Sequence, residues 1–208
     1  MQKREFFNNG QLVLLASVAY ECAAPFDGER TGSDEMAVYV TLRDFTCGWT
    51  EEQLAVIKFC AEECERQKSG ALSVFWMVNA WNNAMDLKHT GERLTDQMVL
   101  RLAEMVEPDL CQGWRTSTVT IRGVVAGSSP AHVQSDMTEL GLMLDAYAAG
   151  ENPQLFGQPL TAQWLYERFE DIHPREDGNG RTGKIIFNWL LGTLDAPQLP
   201  KEPDRFSN

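Results

Sequence analysis

The stretch His173-Pro174-Arg175-Glu176-Asp177-Gly178-Asn179-Gly180-Arg181-Thr182-Gly183-Lys184 decides how the rest of the chain reads. It sets an imidazole, a carboxylate, a glycine-rich turn and two cations close together, with apolar helical patterns on both sides. Upstream, Leu165, Phe169 and Ile172 recur at helical spacing and deliver His173 at a helix end. Downstream, Ile185, Ile186, Phe187, Trp189, Leu190 and Leu191 are apolar nearly all round, which predicts a helix buried at the centre of a bundle. Gly178, Asn179 and Gly180 then lie at a helix N-terminus, where unpaired backbone N–H groups and the positive dipole end attract anions. Glycines let that backbone approach a phosphate with no Cβ in the way. Arg181 and Lys184, one turn apart, are predicted to reach an anion seated there. Asp177 is a hard oxygen donor of the kind magnesium takes alongside phosphates, and His173 can accept a proton from an attacking hydroxyl. Alone, Asp-Gly-Asn-Gly reads as a plain turn between helices with His173 as a cap. The added His, Arg and Lys at fixed offsets favour a phosphate-handling site.

Between Trp114 and Val125 the pattern changes to β-branched residues, Thr118, Val119, Thr120, Ile121, Val124 and Val125, with Gly123 among them. That predicts a short strand or hairpin. Met137, Leu140, Leu144 and Tyr147 predict a helix ending at Gly150, and Thr95 opens another that Pro108 closes. Val74, Val78, Trp81 and Met85 predict a helix from Ser73 to Leu87. Thr50-Glu51-Glu52-Gln53 is a capping box, opening a helix whose apolar stripe is Leu54, Ile57, Ala61 and Cys64. Lys58, Glu62, Glu63 and Glu65 are placed off that stripe. Leu12 to Cys22 reads as a buried helix that ends before Pro25, and the tail with Pro197, Pro200 and Pro203 reads as poorly ordered. The fold class is mostly α with a short β-hairpin. Residues 1–70 are read as a helical extension packed on a core over 71–196, followed by a tail over 197–208.

The 208 residues are 43% hydrophobic, enough for one domain with a full core. Lys plus Arg number 18 against 30 Asp plus Glu, a formal charge of −12, so the surface repels nucleic acid and anionic membrane. Neither is expected as a partner, and no apolar run is long enough to span a bilayer. Any anionic ligand needs a local cationic pocket. The 5 cysteines, Cys22, Cys47, Cys60, Cys64 and Cys111, form no C-x-x-C pair and have no histidine beside them, so reduced thiols and no structural metal are expected. The location expected is cytoplasmic, in the producing cell or in one to which the protein is delivered. Lys3 and Arg4 ahead of Leu12 to Tyr20 imitate a secretion signal, but the polar residues 8–11 and Glu21 interrupt that pattern.

His173-Pro174 through Lys184 resembles the signature of the Fic family, H-P-F-x-D/E-G-N-G-R-x-x-R. Gly113-Trp114-Arg115 followed by Val119-Thr120-Ile121 resembles that family's flap, and Met137 to Leu144 the helix after it. The resemblance implies a Fic-like helical bundle that transfers AMP from ATP, with magnesium, to a Ser, Thr or Tyr hydroxyl of a target protein. It makes His173 the general base and Asp177 the magnesium ligand. Gly178, Asn179 and Gly180 become the anion hole, with Arg181 and Lys184 on the phosphates and Thr118 to Ile121 aligning the target strand. The family's kinase-like branch carries Lys where Gly180 stands, which favours AMP transfer. Ser17 to Cys22 resembles the family's inhibitory S/T-x-x-x-E-G/N helix, in which Glu21 would pair with Lys184. Two positions depart from the pattern. Arg175 replaces the buried Phe, and a lone guanidinium is costly to bury, so it is expected to turn outward or to shift the loop. Lys184 replaces the second Arg, keeping the charge and losing the bidentate fork. Two other readings stay open: transfer of another phosphate-containing group, and a weakly catalytic nucleotide-binding protein such as a toxin held by an antitoxin or other regulatory partner.

Overall fold

Several helices begin where a side chain takes up a first-turn N–H group that the helix itself leaves unpaired. In the computed structural model, which describes residues 6–23, 33–44, 48–110, 112–121, 123–150 and 159–202, the Thr50 hydroxyl accepts from Gln53 N–H at 3.2 Å. Gln53 Oε1 in turn accepts from Thr50 N–H at 2.9 Å, completing the capping box. Thr95 and Thr161 accept likewise from Met98 and Trp164 at 3.2 and 3.1 Å. Each such cap is worth about 1 kcal/mol.

The described elements, in chain order, are α1 (Asn9–Ala23), α2 (Asp34–Asp44), α3 (Glu51–Gln67), α4 (Ala71–His89), α5 (Asp96–Val106), β1 (Val119–Ile121), β2 (Val124–Ala126), α6 (Val133–Ala148), α7 (Ala162–Ile172) and α8 (Asn179–Leu191). The expected class, mostly α with a small hairpin, is the one observed. β1 and β2 pair antiparallel, with Val119 opposite Ala126 and Ile121 opposite Val124.

The all-round apolar pattern of α8 places it at the centre, packed against α7, α4, α5 and α3. Ile185, Ile186 and Trp189 join one core cluster with Trp81 of α4, whose ring Nε1 donates to Leu194 O at 2.8 Å. A buried indole needs such an acceptor, and here it ties α4 to the chain beyond α8. The N-terminal helices are layered outside this core: α1 lies on α4 and α2, and α2 on α3 and α4.

Three sequence expectations change. Residues 34–44 form a helix that periodicity does not reveal, because Met36, Val38, Val40 and Leu42 alternate at two-residue spacing. The residues it buries are Glu35, Val38 and Leu42, a helical set with a carboxylate in it that accepts from Gly70 N–H at 2.9 Å. Glu63, placed off the apolar stripe of α3, is buried. The tail is held through Glu202. Asn188, fully buried, donates from Nδ2 to Lys184 O and Gln198 O, both at 2.9 Å, and accepts at Oδ1 from Thr193 Oγ1 and Gln198 N–H at 2.8 and 2.7 Å. Gln163 then pairs with Lys201 in both directions, at 2.7 and 3.0 Å. Pro25 and Pro203 lie outside the described residues.

Candidate active site

His173 caps α7 in a left-handed conformation, φ 49°, with its N–H donating to Phe169 O at 3.0 Å. A non-glycine residue there costs about 1–2 kcal/mol, so its surroundings must hold it. Arg115 does much of the holding. Its buried guanidinium donates from Nε to His173 O at 2.7 Å, from Nη1 to Ser117 O at 2.7 Å, and from Nη2 to Ser128 O at 2.6 Å and Ile172 O at 3.4 Å. Backbone bonds from Arg115 N–H to Pro174 O (2.9 Å) and from Ser128 N–H to Ile172 O (3.0 Å) run alongside. Both roots of the β1–β2 hairpin are thus fastened to the backbone around His173. Burial among these carbonyls pushes the Arg115 pKa down. Gly127 sits in the same crowd at φ 78°, where a Cβ would lie 2.6 Å from Ile172 O and 2.7 Å from His173 Cβ.

The loop after His173 is closed by Asn179, whose Oδ1 accepts from Arg175 N–H and whose Nδ2 donates to Arg175 O, each at 2.9 Å. Arg175 does not turn outward: it is 2% exposed and Nη1 donates to Gly113 O. A carbonyl at the flap's root therefore takes up part of the guanidinium's hydrogen-bonding demand, which a phenyl ring would not have. Ser117 Oγ donates to Glu176 Oε1 at 2.7 Å, a second link between flap and loop. Gly178, φ 77°, turns the chain into α8, leaving the first N–H groups of that helix without intrahelical acceptors.

A cavity of about 770 Å³ opens between the hairpin, this loop, α7 and the end of α3. Of the residues expected in the site, His173, Asp177, Asn179, Gly180, Val119, Thr120 and Ile121 line it. Gly178, Arg181, Lys184, Thr118, Ser17 and Glu21 do not. Ser17 and Glu21 are exposed on α1, which packs on α2 and α4.

Arg181 and Lys184 diverge although they are neighbours on α8. Arg181 Nη2 meets Glu107 Oε1 and lies 3.4 Å from Asp177 Oδ1, and its Nε donates to Gln67 Oε1 at 3.4 Å. Arg181 Nη1 is buried with no hydrogen-bond partner among the described residues. Such a donor costs about 1–3 kcal/mol until an acceptor reaches it, and a phosphate oxygen is one. Lys184 is fully buried on the other side, its Nζ donating to Glu202 Oε1 at 2.7 Å and Tyr166 OH at 2.9 Å, with Glu63 Oε1 at 4.0 Å. The carboxylates that meet Lys184 are thus Glu202 and Glu63, not Glu21. Partial burial raises the Glu202 pKa, but the hydrogen bond and charge of Lys184, helped by Arg66 and Tyr166, outweigh it and hold the carboxyl below its ordinary value. Burial and nearby carboxylates push the Tyr166 phenol well up.

Sequence reading missed Glu63, Arg66 and Gln67 of α3, Tyr166 and Glu170 of α7, and Glu202. One signal was available: Cys60, Glu63, Cys64 and Gln67 share one helical stripe, so two polar residues interrupt an apolar face. Glu170 Oε2 lies 3.9 Å from His173 Nδ1. Asp177, just before the α8 N-terminus, is 69% exposed on its side chain, a carboxylate of the kind magnesium takes alongside phosphates. Among the described residues no larger group of metal donors occurs, and no helix is long and apolar enough to cross a membrane.

Comparison with the curated proteins gives no match. Among solved structures, IbpAFic2 covalently tethered to Cdc42 superposes with a TM-score of 0.53 at 18% identity, over 99% of this chain and 63% of that one. A variant of IbpAFic2 in complex with adenylylated Cdc42 gives 0.53 at 16%, over 98% and 62%, and IbpAFic2 itself 0.52 at 20%, over 92% and 65%. This chain therefore spans less than two thirds of the length of those proteins, and at such identities the likeness concerns the fold alone. Residues 92–191, from the turn before α5 to the last residue of α8, match the family model described as Fic/DOC family. The matched part carries the flap, His173 and the glycine turn.

Proposed function

We propose that this chain is a Fic-type nucleotidyltransferase that moves AMP from ATP to a Ser, Thr or Tyr hydroxyl of a target protein. The observation that carries the reading is that His173, the first turn of α8 and both strands of the hairpin line one cavity. A base, an anion seat and a strand edge are adjacent there. The hydroxyl oxygen attacks the α-phosphorus, the bond from that phosphorus to the β-bridging oxygen breaks, and pyrophosphate leaves. His173 takes the hydroxyl proton at Nε2, the nitrogen away from Glu170, and the Glu170 carboxylate steadies the resulting imidazolium. The N–H groups of Asn179 and Gly180 and the guanidinium of Arg181 stabilise the charge that grows on the phosphate. Asp177 would hold magnesium, which when bound neutralises phosphate charge. The target segment adds to the hairpin edge through backbone hydrogen bonds, past the exposed Val124 and Val125. The adenylylated Cdc42 seen with a related fold supports a protein as acceptor. In this reading residues 71–196 are the catalytic core, residues 1–70 an extension packed on it and residues 197–208 a tail.

The test is incubation with magnesium and ATP labelled at either the α or the γ phosphorus, beside a His173→Ala control. Label from α alone, lost in the control, supports AMP transfer. Label from γ replaces it with phosphoryl transfer, and no label from either position sinks both.

A further inference from the structure

The cavity is a poor seat for a triphosphate on its lining charges alone, since Glu170, Glu176, Asp177 and Glu202 all face it. Both motif cations stand behind its wall. Among the described residues that line it, Arg66 near the end of α3 is the one Lys or Arg. Its side chain is 49% exposed, so the charge reaches the space a ligand would enter.

Arg66 is also held in place. Glu63, buried one turn earlier, grips it in two-point fashion, with Nε to Oε2 at 3.0 Å and Nη2 to Oε1 at 2.6 Å. A guanidinium fixed this way loses little freedom when it binds a further anion. Its Nη2 lies 3.5 Å from Glu202 Oε1, and that same oxygen accepts from Lys184 Nζ at 2.7 Å. One carboxylate oxygen from the tail thus sits between the two cations. An oxygen anion already has a place there.

We infer that Arg66 is the receptor for the outermost phosphate of the nucleoside triphosphate, supplying the planar fork that Lys184 lacks. The inference rests on the nucleotide reading above and adds a residue from α3, outside the segment that matches the family model. The incoming phosphate displaces the Glu202 carboxylate from Arg66, while Lys184 stays behind the wall as a fixed charge. Glu202 is therefore a competitor for the same seat.

The experiment measures binding of ATP, AMP and inorganic tripolyphosphate to wild type, Arg66→Gln, Arg66→Lys and Glu202→Gln, with magnesium. Arg66→Gln is expected to weaken ATP and tripolyphosphate about tenfold while AMP changes less than twofold, and Arg66→Lys to fall between, since charge remains without the fork. A folded Arg66→Gln protein that binds ATP within twofold of wild type, or loses ATP and AMP equally, overturns the inference. Should Arg66→Gln fail to fold, Glu202→Gln decides, because it leaves Arg66 and Glu63 in place: ATP tightened several-fold supports the inference and unchanged ATP overturns it. Wild type that binds neither ATP nor tripolyphosphate removes the nucleotide reading itself. Wild type that binds ATP while the variants do not differ removes Arg66 alone.

Discussion

Arg115 Nε donates to the carbonyl of His173 at 2.7 Å, so the hairpin and the proposed base move as one unit. Replacement of Arg115 by Met leaves several buried carbonyls without a donor. Stability to urea should fall by about 3 kcal/mol. AMP transfer should fall by on the order of a hundredfold, because the imidazole loses its fixed position. Transfer that survives a full loss of that stability would show that the tie is structural only.

Gly127 and Gly123 separate crowding from backbone strain. Both have positive φ, 78° and 81°, but a Cβ at Gly127 would strike Ile172 O and His173 Cβ, whereas at Gly123 nothing lies within 4 Å. Gly123→Ala should cost about 1 kcal/mol from conformation alone, and Gly127→Ala about 3 kcal/mol with displacement of His173. Equal melting temperatures for the two variants would contradict this account of the hairpin root.

Asn188 satisfies all its donors and acceptors on Lys184, Thr193 and Gln198. Asn188→Leu should lower stability by about 2–4 kcal/mol, since it leaves backbone groups of the tail unpaired. Limited proteolysis should then trim the chain beyond Gln198 before the core unfolds. Simultaneous loss of both would mean that the tail is no separate unit.

The Glu202 carboxyl is held below its ordinary value of 4.5, since Lys184 and Arg66 outweigh the effect of burial. Its folded pKa is depressed, so its stabilising contribution is present above pH 4.5 and lost as the pH falls through the folded value. Protection of the tail from proteolysis, followed down the pH scale, should fade below that point in wild type. In Glu202→Gln it should be low and flat across the same range.

Cys64 is buried, and burial, only partly offset by Arg181, pushes its thiol up to about 12; burial, with Cys64 and Glu63 nearby, pushes the Cys60 thiol up as well. Both should resist a maleimide at pH 8 until the protein unfolds, since the thiolate is the reactive form. The native advantage of keeping the Cys64 proton is intact below its ordinary value of 9.0 and is lost as the pH climbs toward about 12. Rapid labelling of either thiol in the native protein at pH 8 would refute this placement.

Most helices were legible because their signals are local. Thr50 with Gln53 states a start, and Leu165, Phe169 and Ile172 state a buried face, each within a few residues. α2 was not, since its alternating apolar residues suit either period until α3 and α4 are known to cover one side. Arg175 misled because burial cost was judged for a side chain alone, and its acceptor, Gly113 O, lies in another segment.

By itself, the sequence determined the helical class, the hairpin, the turn into α8 and the identity of the proposed base and anion seat. These depend on caps, periodicity and glycines that act over one or two turns. Tertiary structure decided which charges the seat contains. Gln67 reaches Arg181 across 114 positions, and Glu202 returns past Asn188 to meet Lys184 and Arg66. Ion pairs depend on distance and burial in space, and no spacing rule along the chain encodes either.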